Sequence, residues 1–206
     1  MIANEGWPFV GIATGVALVA IYWGGGYGVL ALILPGFVAY FFRDPRRLIP
    51  ADDNLLVSPA DGKIIEVSEV EETRYLKRRA KKIVIFLSIF NVHINRVPCS
   101  GEIREVNYHP GKFLIGFHEK ASLDNEQNGV VLRTNGKELA FVQIAGFIAR
   151  RIVCYLKKGQ TVKRGERFGL IRFGSRMDLY LPLDLKIAVK VGDRVTGGES
   201  ILARFA

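Results

Sequence analysis

Three short polar segments hold the side chains most able to do chemistry. They read SPADG (58–62), NVHIN (91–95) and FGSR (173–176). Taken singly, the first and the third are typical of Asp-Gly and Gly-Ser turns. On a strand, Asn91, His93 and Asn95 would share one polar face, which is an unusual place for a histidine that only fills a core. A carboxylate, an imidazole and a hydroxyl are together the groups of an activated nucleophile.

Metal and nucleotide chemistry find little support in the sequence. Cys99 and Cys154 are single and far apart, with no Cys-x-x-Cys pair and no Cys/His cluster, so we expect no metal site. A phosphate-binding Gly-x-x-x-x-Gly-Lys loop and a Gly-x-Gly-x-x-Gly motif after a strand are both absent. These absences argue against zinc enzymes and nucleotide-dependent enzymes.

Short apolar runs punctuated by Gly, Pro, Asn and Asp predict a mainly β domain after residue 50. Residues 111 to 121 could form a short helix. The candidate strands are Lys63 to Val67, Ile83 to Phe90, Gly129 to Leu132, Leu139 to Ala145, Arg167 to Phe173 and Leu185 to Val189.

One internal repeat is visible near the C-terminus. The pattern G-x-x-V-x-x-G-E occurs at residues 159–166 and again 33 residues later at 192–199. Each copy reads as a glycine turn, an apolar anchor and a second turn that leads into a strand. The pair is similar to the hammerhead units of biotinyl and lipoyl carrier domains. We therefore expect a mainly β (α+β) fold with barrel-sandwich-like hammerhead repeats.

The first 42 residues differ sharply from the rest of the chain. They contain one charged residue, Glu5, and two apolar runs, Trp7 to Trp23 and Tyr27 to Phe42, separated by three glycines. Each run would span roughly 25 Å as a helix, slightly less than a bilayer core of about 30 Å. This predicts a membrane-associated hydrophobic helical hairpin over residues 1–42, either crossing the bilayer or entering one leaflet. A hairpin buried in a soluble core is the alternative.

The remaining residues, 43–206, form the expected catalytic domain and carry 29 basic against 19 acidic residues, a net charge of +10. Arginines directly after the second apolar run place this domain on the cytoplasmic side. The most basic stretch, Glu71 to Lys82, carries six basic residues in twelve and could be a solvated loop or a contact for anionic lipid head groups. No aromatic-basic recognition module accompanies it, so we expect no nucleic-acid partner.

The order of several blocks resembles the short prokaryotic type of the phosphatidylserine decarboxylase proenzyme family. The resemblance covers nearly the whole chain, including the hydrophobic hairpin. The blocks are FFRDPRR (41–47), SPADGKI (58–64), FLSIFNVHINRVP (86–98), YHPGKF (108–113), DNEQN (124–128), QIAGFIARRIVCY (143–155) and GERFGLIRFGSRMDLYLP (165–182).

The resemblance implies that the precursor cuts itself between Gly174 and Ser175. The products would be a β chain of residues 1–174 and an α chain of residues 175–206, which stay together as a heterodimer. Two heterodimers could pair into a homodimer of heterodimers. His93 would be the base that activates Ser175, and Asp61 would orient His93. His109 and His118 are weaker candidates for a direct role.

The resemblance also implies a covalent pyruvoyl cofactor, formed from Ser175 itself. Its ketone would form a Schiff base with the amine of phosphatidylserine and accept the electrons left behind by CO2, with His93 as the proton donor. The expected activity is that of a carboxy-lyase that makes phosphatidylethanolamine. The expected location is the cell membrane, peripheral or hairpin-inserted, at an anionic lipid surface.

Two other functions compete with this interpretation. A biotinyl-like or lipoyl-like carrier would fit the repeat, but it needs a modifiable Lys in the turn between its halves, where this chain has Gly174, Ser175 and Arg176. A serine hydrolase could use Asp61, His93 and Ser175 as a lasting triad, but the Gly-x-Ser-x-Gly motif is absent.

Overall fold

The computed structural model describes residues 1–111, 126–146, 151–172 and 175–205. The chain divides into two compact units, Met1–Arg46 and Arg47–Ala206. The short helix predicted for residues 111–121 lies almost entirely outside the described residues, as do Gly174 and His118.

The first unit is the apolar helical hairpin that the sequence predicts. A 3-10 turn over Asn4–Gly6 leads into α1 (Trp7–Gly24), and a 3-10 helix over Gly25–Leu32 leads into α2 (Ile33–Phe41). The two ends of the hairpin meet, because the Ala3 amide donates a hydrogen bond of 2.8 Å to the Phe42 carbonyl. Gly6 lies so close to the Phe42 side chain that an added Cβ would be 2.5 Å from it.

Most large apolar side chains of this hairpin are exposed, including Trp7, Ile12, Leu18, Trp23 and Ile33. The helical segment Asn4–Gly24 has 21 residues and a mean hydropathy of 1.5, which is long and apolar enough to cross a membrane. Only 17% of its most apolar window is buried. A hairpin that filled a soluble core would bury these side chains, so the structure disfavours that alternative.

The second unit is built almost entirely of strands, which confirms the expected mainly β class. Eight of the described strands form one sheet in the order β13-β2-β3-β11-β7-β6-β5-β9, and two three-stranded sheets have the orders β4-β10-β8 and β1-β14-β12. All of the paired strands are antiparallel. The strands are β1 (Leu55–Val57), β2 (Gly62–Glu72), β3 (Arg78–Leu87), β4 (Ile94–Arg96), β5 (Gly101–His109), β6 (Gln127–Thr134), β7 (Lys137–Ala145), β8 (Ile152–Cys154), β9 (Thr161–Val162), β10 (Arg167–Ile171), β11 (Ser175–Leu181), β12 (Lys186–Ile187), β13 (Arg194–Val195) and β14 (Ile201–Arg204).

Strand β11 lies inside the large sheet, between β3 and β7. Side chains two apart on a strand point to the same face, so Ser175 shares its face with Met177 and Leu179. Met177 and Leu179 are fully buried members of the apolar core. The hydroxyl of Ser175 is therefore directed toward the core side of the sheet.

The repeat in the sequence is also a repeat of backbone hydrogen bonds. Gly159 donates to the Ile103 carbonyl at 2.7 Å, and Gly192 donates to the Ile64 carbonyl at 2.9 Å. The second glycines of the two copies, Gly165 and Gly198, have φ values of +76° and +83°, which glycine adopts without steric cost. Each copy thus forms a short strand, a glycine turn and a following strand, β10 or β14, as the pattern predicts.

The basic stretch is largely matched by acidic residues on the neighbouring strand. Strand β2 places Glu69 opposite Lys81 and Glu71 opposite Arg79, while Lys82 Nζ lies 2.9 Å from Glu66 Oε2. Cross-strand pairs of opposite charge stabilise a hairpin. The stretch is therefore half of a charge-paired hairpin, which weakens its interpretation as a free lipid-binding patch.

Candidate active site

One end of the large sheet collects the residues that the sequence singled out. In an antiparallel sheet, the start of one strand lies beside the end of the next. Asp61 directly precedes β2, His93 follows the end of β3, and Ser175 begins β11. The register places the starts of β2 and β11 beside the end of β3, since Leu87 pairs with Ser175 and Phe86 pairs with Lys63.

Ser175 is held on both sides by backbone pairing, with Leu87 on β3 and Ala145 on β7. Its side chain is buried, with 4% of the residue exposed. Within the described part of the chain, its Oγ has no hydrogen-bond partner. Buried hydroxyls are usually hydrogen-bonded, and an exception calls for an explanation.

His93 is also buried, and its ring has a defined orientation. Its Nδ1 lies 2.9 Å from the Asn91 carbonyl oxygen, and 2% of the residue is exposed. Because a carbonyl can only accept, the neutral ring carries its proton on Nδ1 and leaves the lone pair on Nε2. Nε2 is therefore the basic nitrogen of this imidazole.

The segment before His93 is a turn, which differs from the predicted continuous strand. Asn91 Oδ1 accepts hydrogen bonds of 2.8 Å from both the amide and the hydroxyl of Ser88. Strand β3 consequently ends at Leu87, where the prediction extended it to Phe90. A short polar side chain that binds nearby backbone offers an alternative to strand pairing, so the chain turns here.

Asp61 is held by other groups than His93. Both of its carboxylate oxygens accept from Arg47 Nη2, at 2.9 and 2.8 Å, and Oδ1 also accepts from the Gly197 amide at 2.8 Å. Ser100 has the matching place in the other repeat, where its Oγ accepts from the Arg164 amide. In the structure, the hydrogen bonds described for Asp61 fix the repeat turn.

A buried chain of amides lies next to His93, and the sequence did not single it out as a unit. Asn128 donates to Gln143 at 3.1 Å, and Gln143 Nε2 donates to Asn95 Oδ1 at 2.9 Å and to the Val153 carbonyl at 3.2 Å. Gln143 lies two residues from Phe141 and two from Ala145 on β7, so its side chain shares the core face with theirs. A glutamine at a core-facing position is the signal that could have indicated this network.

Other reactive groups in the described residues lie in unreactive settings. No group of three or more His, Cys, Asp or Glu among them could hold a metal ion. Burial raises the pKa of the Cys99 thiol to about 12, and burial also raises the pKa of Cys154. Both thiols are therefore poor nucleophiles near neutral pH.

Comparison with known proteins identifies the family. The family model described as phosphatidylserine decarboxylase matches residues 34–203, which is most of the chain. The chain belongs to this family. That membership confirms the resemblance seen in the sequence blocks and the expectation of an enzyme, a decarboxylase of the lyase class.

Individual relatives match along almost their entire lengths. The phosphatidylserine decarboxylase proenzyme of Desulfotalea psychrophila is 47% identical over 208 residues, covering 99% of this chain and 96% of the relative. The proenzyme of Geotalea uraniireducens is 50% identical, covering 98% and 95%. The proenzyme of Nitrosomonas europaea is 47% identical, covering 100% and 95%.

Proposed function

We propose that this chain is the precursor of a pyruvoyl-dependent phosphatidylserine decarboxylase that cleaves itself between Gly174 and Ser175. The observation that most supports this proposal is the buried Ser175 Oγ, which has no hydrogen-bond partner among the described residues. A hydroxyl that is removed from water and left uncommitted is suited to attack a neighbouring carbonyl. The names of the relatives, all called proenzymes, support a maturation step.

The cut would begin when His93 removes the proton of the Ser175 hydroxyl. The oxygen would then attack the carbonyl carbon of Gly174, and the bond from that carbon to the Ser175 nitrogen would break to give an ester. Loss of the Ser175 Cα proton would release Gly174 as a carboxylate and leave a dehydroalanine. Hydrolysis of the dehydroalanine would give the pyruvoyl group and ammonia.

The residues at this end of the sheet fit that group. Ser175 lies on the core face of β11, so a group formed from it would lie between the sheets and be shielded from water. The pyruvoyl group would supply the electron sink for loss of CO2 from the serine head group of phosphatidylserine. His93, held through Nδ1, presents Nε2 as the group that would return a proton to the substrate carbon.

Asp61 is proposed to orient His93 during self-cleavage. In the structure its oxygens are bound to Arg47 and to the Gly197 amide. The proposed role therefore requires the Asp61 carboxylate to exchange Arg47 for His93. A comparison of the Arg47→Met and Asp61→Ala variants separates this role from a purely structural one.

The apolar hairpin supports a proposed location at the cell membrane, with the catalytic unit on the cytoplasmic side. Its exposed large side chains suit insertion into lipid, where the substrate is dissolved. The chain would thereby be held at the anionic surface that contains phosphatidylserine. The α and β chains would remain associated, and a homodimer of heterodimers is the proposed assembly.

The test is the size and end group of the purified full-length protein. A denaturing gel should show two chains, the smaller one with 32 residues starting at position 175. Simple hydrolysis of the peptide bond would give a small chain that begins with an ordinary serine. The pyruvoyl-bearing chain should be lighter than that product by the mass of one ammonia. The purified protein should release CO2 from phosphatidylserine in mixed vesicles.

Ser175→Ala supplies the matched control, since it removes one oxygen from a buried site and leaves the strand pairing in place. This variant should remain a single chain without decarboxylase activity. A wild-type protein that stays uncut and is fully active would overturn the proposal.

A further inference from the structure

Asn95 is fully buried on β4, yet half of its side-chain amide has no hydrogen bond. Its Oδ1 accepts from Gln143 Nε2 at 2.9 Å. Within the described residues its Nδ2 is buried and has no acceptor. A buried amide donor without an acceptor is rare in folded proteins and calls for an explanation.

The orientation of this amide follows from its neighbours. Gln143 Nε2 also donates to the backbone carbonyl of Val153, which can only accept. Gln143 Oε1 is occupied by the donor from Asn128. Gln143 must therefore present its NH2 group to Asn95, and Asn95 must present its oxygen in return. The Asn95 NH2 group remains available as a donor.

The strand register places this donor close to Ser175. Gln143 pairs with Met177 across β7 and β11, and Ala145 pairs with Ser175. Ser175 is thus a diagonal neighbour of Gln143, at about 7–8 Å between Cα atoms. In the three-stranded sheet, Asn95 pairs with Gly169 of β10, two residues before that strand ends at Ile171.

Asn95 and His93 also occupy one face of the same short segment. Their side chains are two residues apart in an extended stretch whose intervening residue, Ile94, pairs with Leu170. His93 thus offers a base directly before β4 and Asn95 a hydrogen-bond donor on that strand, while the Ser175 hydroxyl belongs to the other sheet. Self-cleavage needs both, because negative charge develops on the attacked carbonyl oxygen as the hydroxyl loses its proton.

We propose that the Asn95 side-chain amide donates a hydrogen bond to the oxyanion that forms on the carbonyl of residue 174 during self-cleavage. In this proposal the Ser175 oxygen would bond to that carbonyl carbon, the carbonyl electron pair would move onto the carbonyl oxygen, and Asn95 Nδ2 would donate to it. When this electron pair reforms the carbonyl double bond, the bond from the carbonyl carbon to the Ser175 nitrogen breaks. The nitrogen then takes the proton held by His93. Gln143 is a positioning residue that fixes which end of the amide faces the reaction. This inference rests on the proposed function.

The decisive variant is Asn95→Asp, which keeps an oxygen for Gln143 and replaces the donor with a second oxygen. The full-length chain is made by cell-free translation in the presence of vesicles, and the disappearance of the radiolabelled precursor is followed on denaturing gels. Loss of one oxyanion donor slows acyl transfer by about 100- to 1,000-fold, and we expect a slowing of that order. Below the pKa of the new carboxyl, its O–H can donate, so the variant's rate relative to wild type should rise as pH falls.

A second variant covers the case in which Asn95→Asp does not fold. In the wild-type chain, Asn95 receives a hydrogen bond from the NH2 group of Gln143. Gln143→Glu replaces that NH2 group with an oxygen, so the Asn95 amide must rotate and point its own NH2 group toward residue 143. The cut should slow although Asn95 is still present. Asn107→Asp, an asparagine at the outer part of β5, is the matched control and should cleave at the wild-type rate.

The outcomes separate this inference from the proposed function. If the wild-type chain is never cut, the proposed function fails and this inference fails with it. If wild type and Ser175→Ala behave as proposed, but folded Asn95→Asp and Gln143→Glu are cut at the wild-type rate, the role of Asn95 alone is overturned. Folding is judged from a melting temperature close to that of the Ser175→Ala precursor.

Discussion

The backbone carbonyl of His93 accepts a hydrogen bond from the Ile171 amide at 3.4 Å. Ile171 ends β10, and the chain reaches Ser175 after three further residues. The backbone of His93 and the residue Ser175 therefore lie at the two ends of one short connection between sheets. This arrangement ties the backbone of His93 to the strand that leads toward Ser175.

His93→Ala should slow self-cleavage by about 10²- to 10⁴-fold, the usual contribution of a general base. The measurement is the rate of precursor loss after pulse labelling. His109→Ala, which removes an exposed imidazole at the end of β5, is the control and should leave the rate unchanged. Rapid cutting of a folded His93→Ala chain would exclude His93 as the base.

Arg47→Met tests how Asp61 acts. If Asp61 must leave Arg47 to orient His93, removing the guanidinium frees the carboxylate, and the precursor should be cut at least as fast as wild type. Asp61→Ala should be cut more slowly, by at least tenfold. Equal slowing of the two variants would show that Asp61 acts through its bonds to Arg47 and the repeat turn.

Glu72→Ala should destabilise the tip of the β2–β3 hairpin. The buried Glu72 carboxylate accepts from the backbone amides of residues 74 to 77, and these donors would lose their acceptor. We expect a loss of about 2 kcal/mol in the free energy of unfolding, measured by chemical denaturation of the Ser175→Ala precursor. Glu71→Ala, an exposed neighbour, should change stability little, and an equal loss there would contradict the assignment.

Leu18→Lys should weaken binding of the full chain to phospholipid vesicles. A charge at the centre of an apolar helix costs about 3 kcal/mol on insertion, which corresponds to more than a 100-fold change in partitioning. Flotation with vesicles measures the bound fraction. Ile65→Lys introduces the same charge at an exposed position on β2 and should float like wild type. Unchanged flotation of Leu18→Lys would argue against insertion of the hairpin.

Local patterns in the sequence predicted the hairpin, the mainly β class and the two copies of the repeat, because periodicity and glycine turns are local properties. His93 stood out because it would lie on a polar strand face, whereas the role of Ser175 was expected only from the resemblance to the family. Contacts between distant segments were not predictable in this way. The turn at Asn91, the pairing of Asp61 with Arg47 and the contact of Gln143 with Asn95 depend on which strands become neighbours, and one sequence does not state that register.

The place of β11 inside the large sheet has a consequence for the order of events in the life of this protein. A cut before Ser175 would leave β11 paired on both sides, while β14 stays paired with β1. The small fragment would thus keep its strands paired with strands of the large fragment. Folding must then come before cutting, and a mature enzyme that is unfolded would have to reassemble two separate chains. Its denaturation should be irreversible at low concentration, whereas the uncut Ser175→Ala chain should refold.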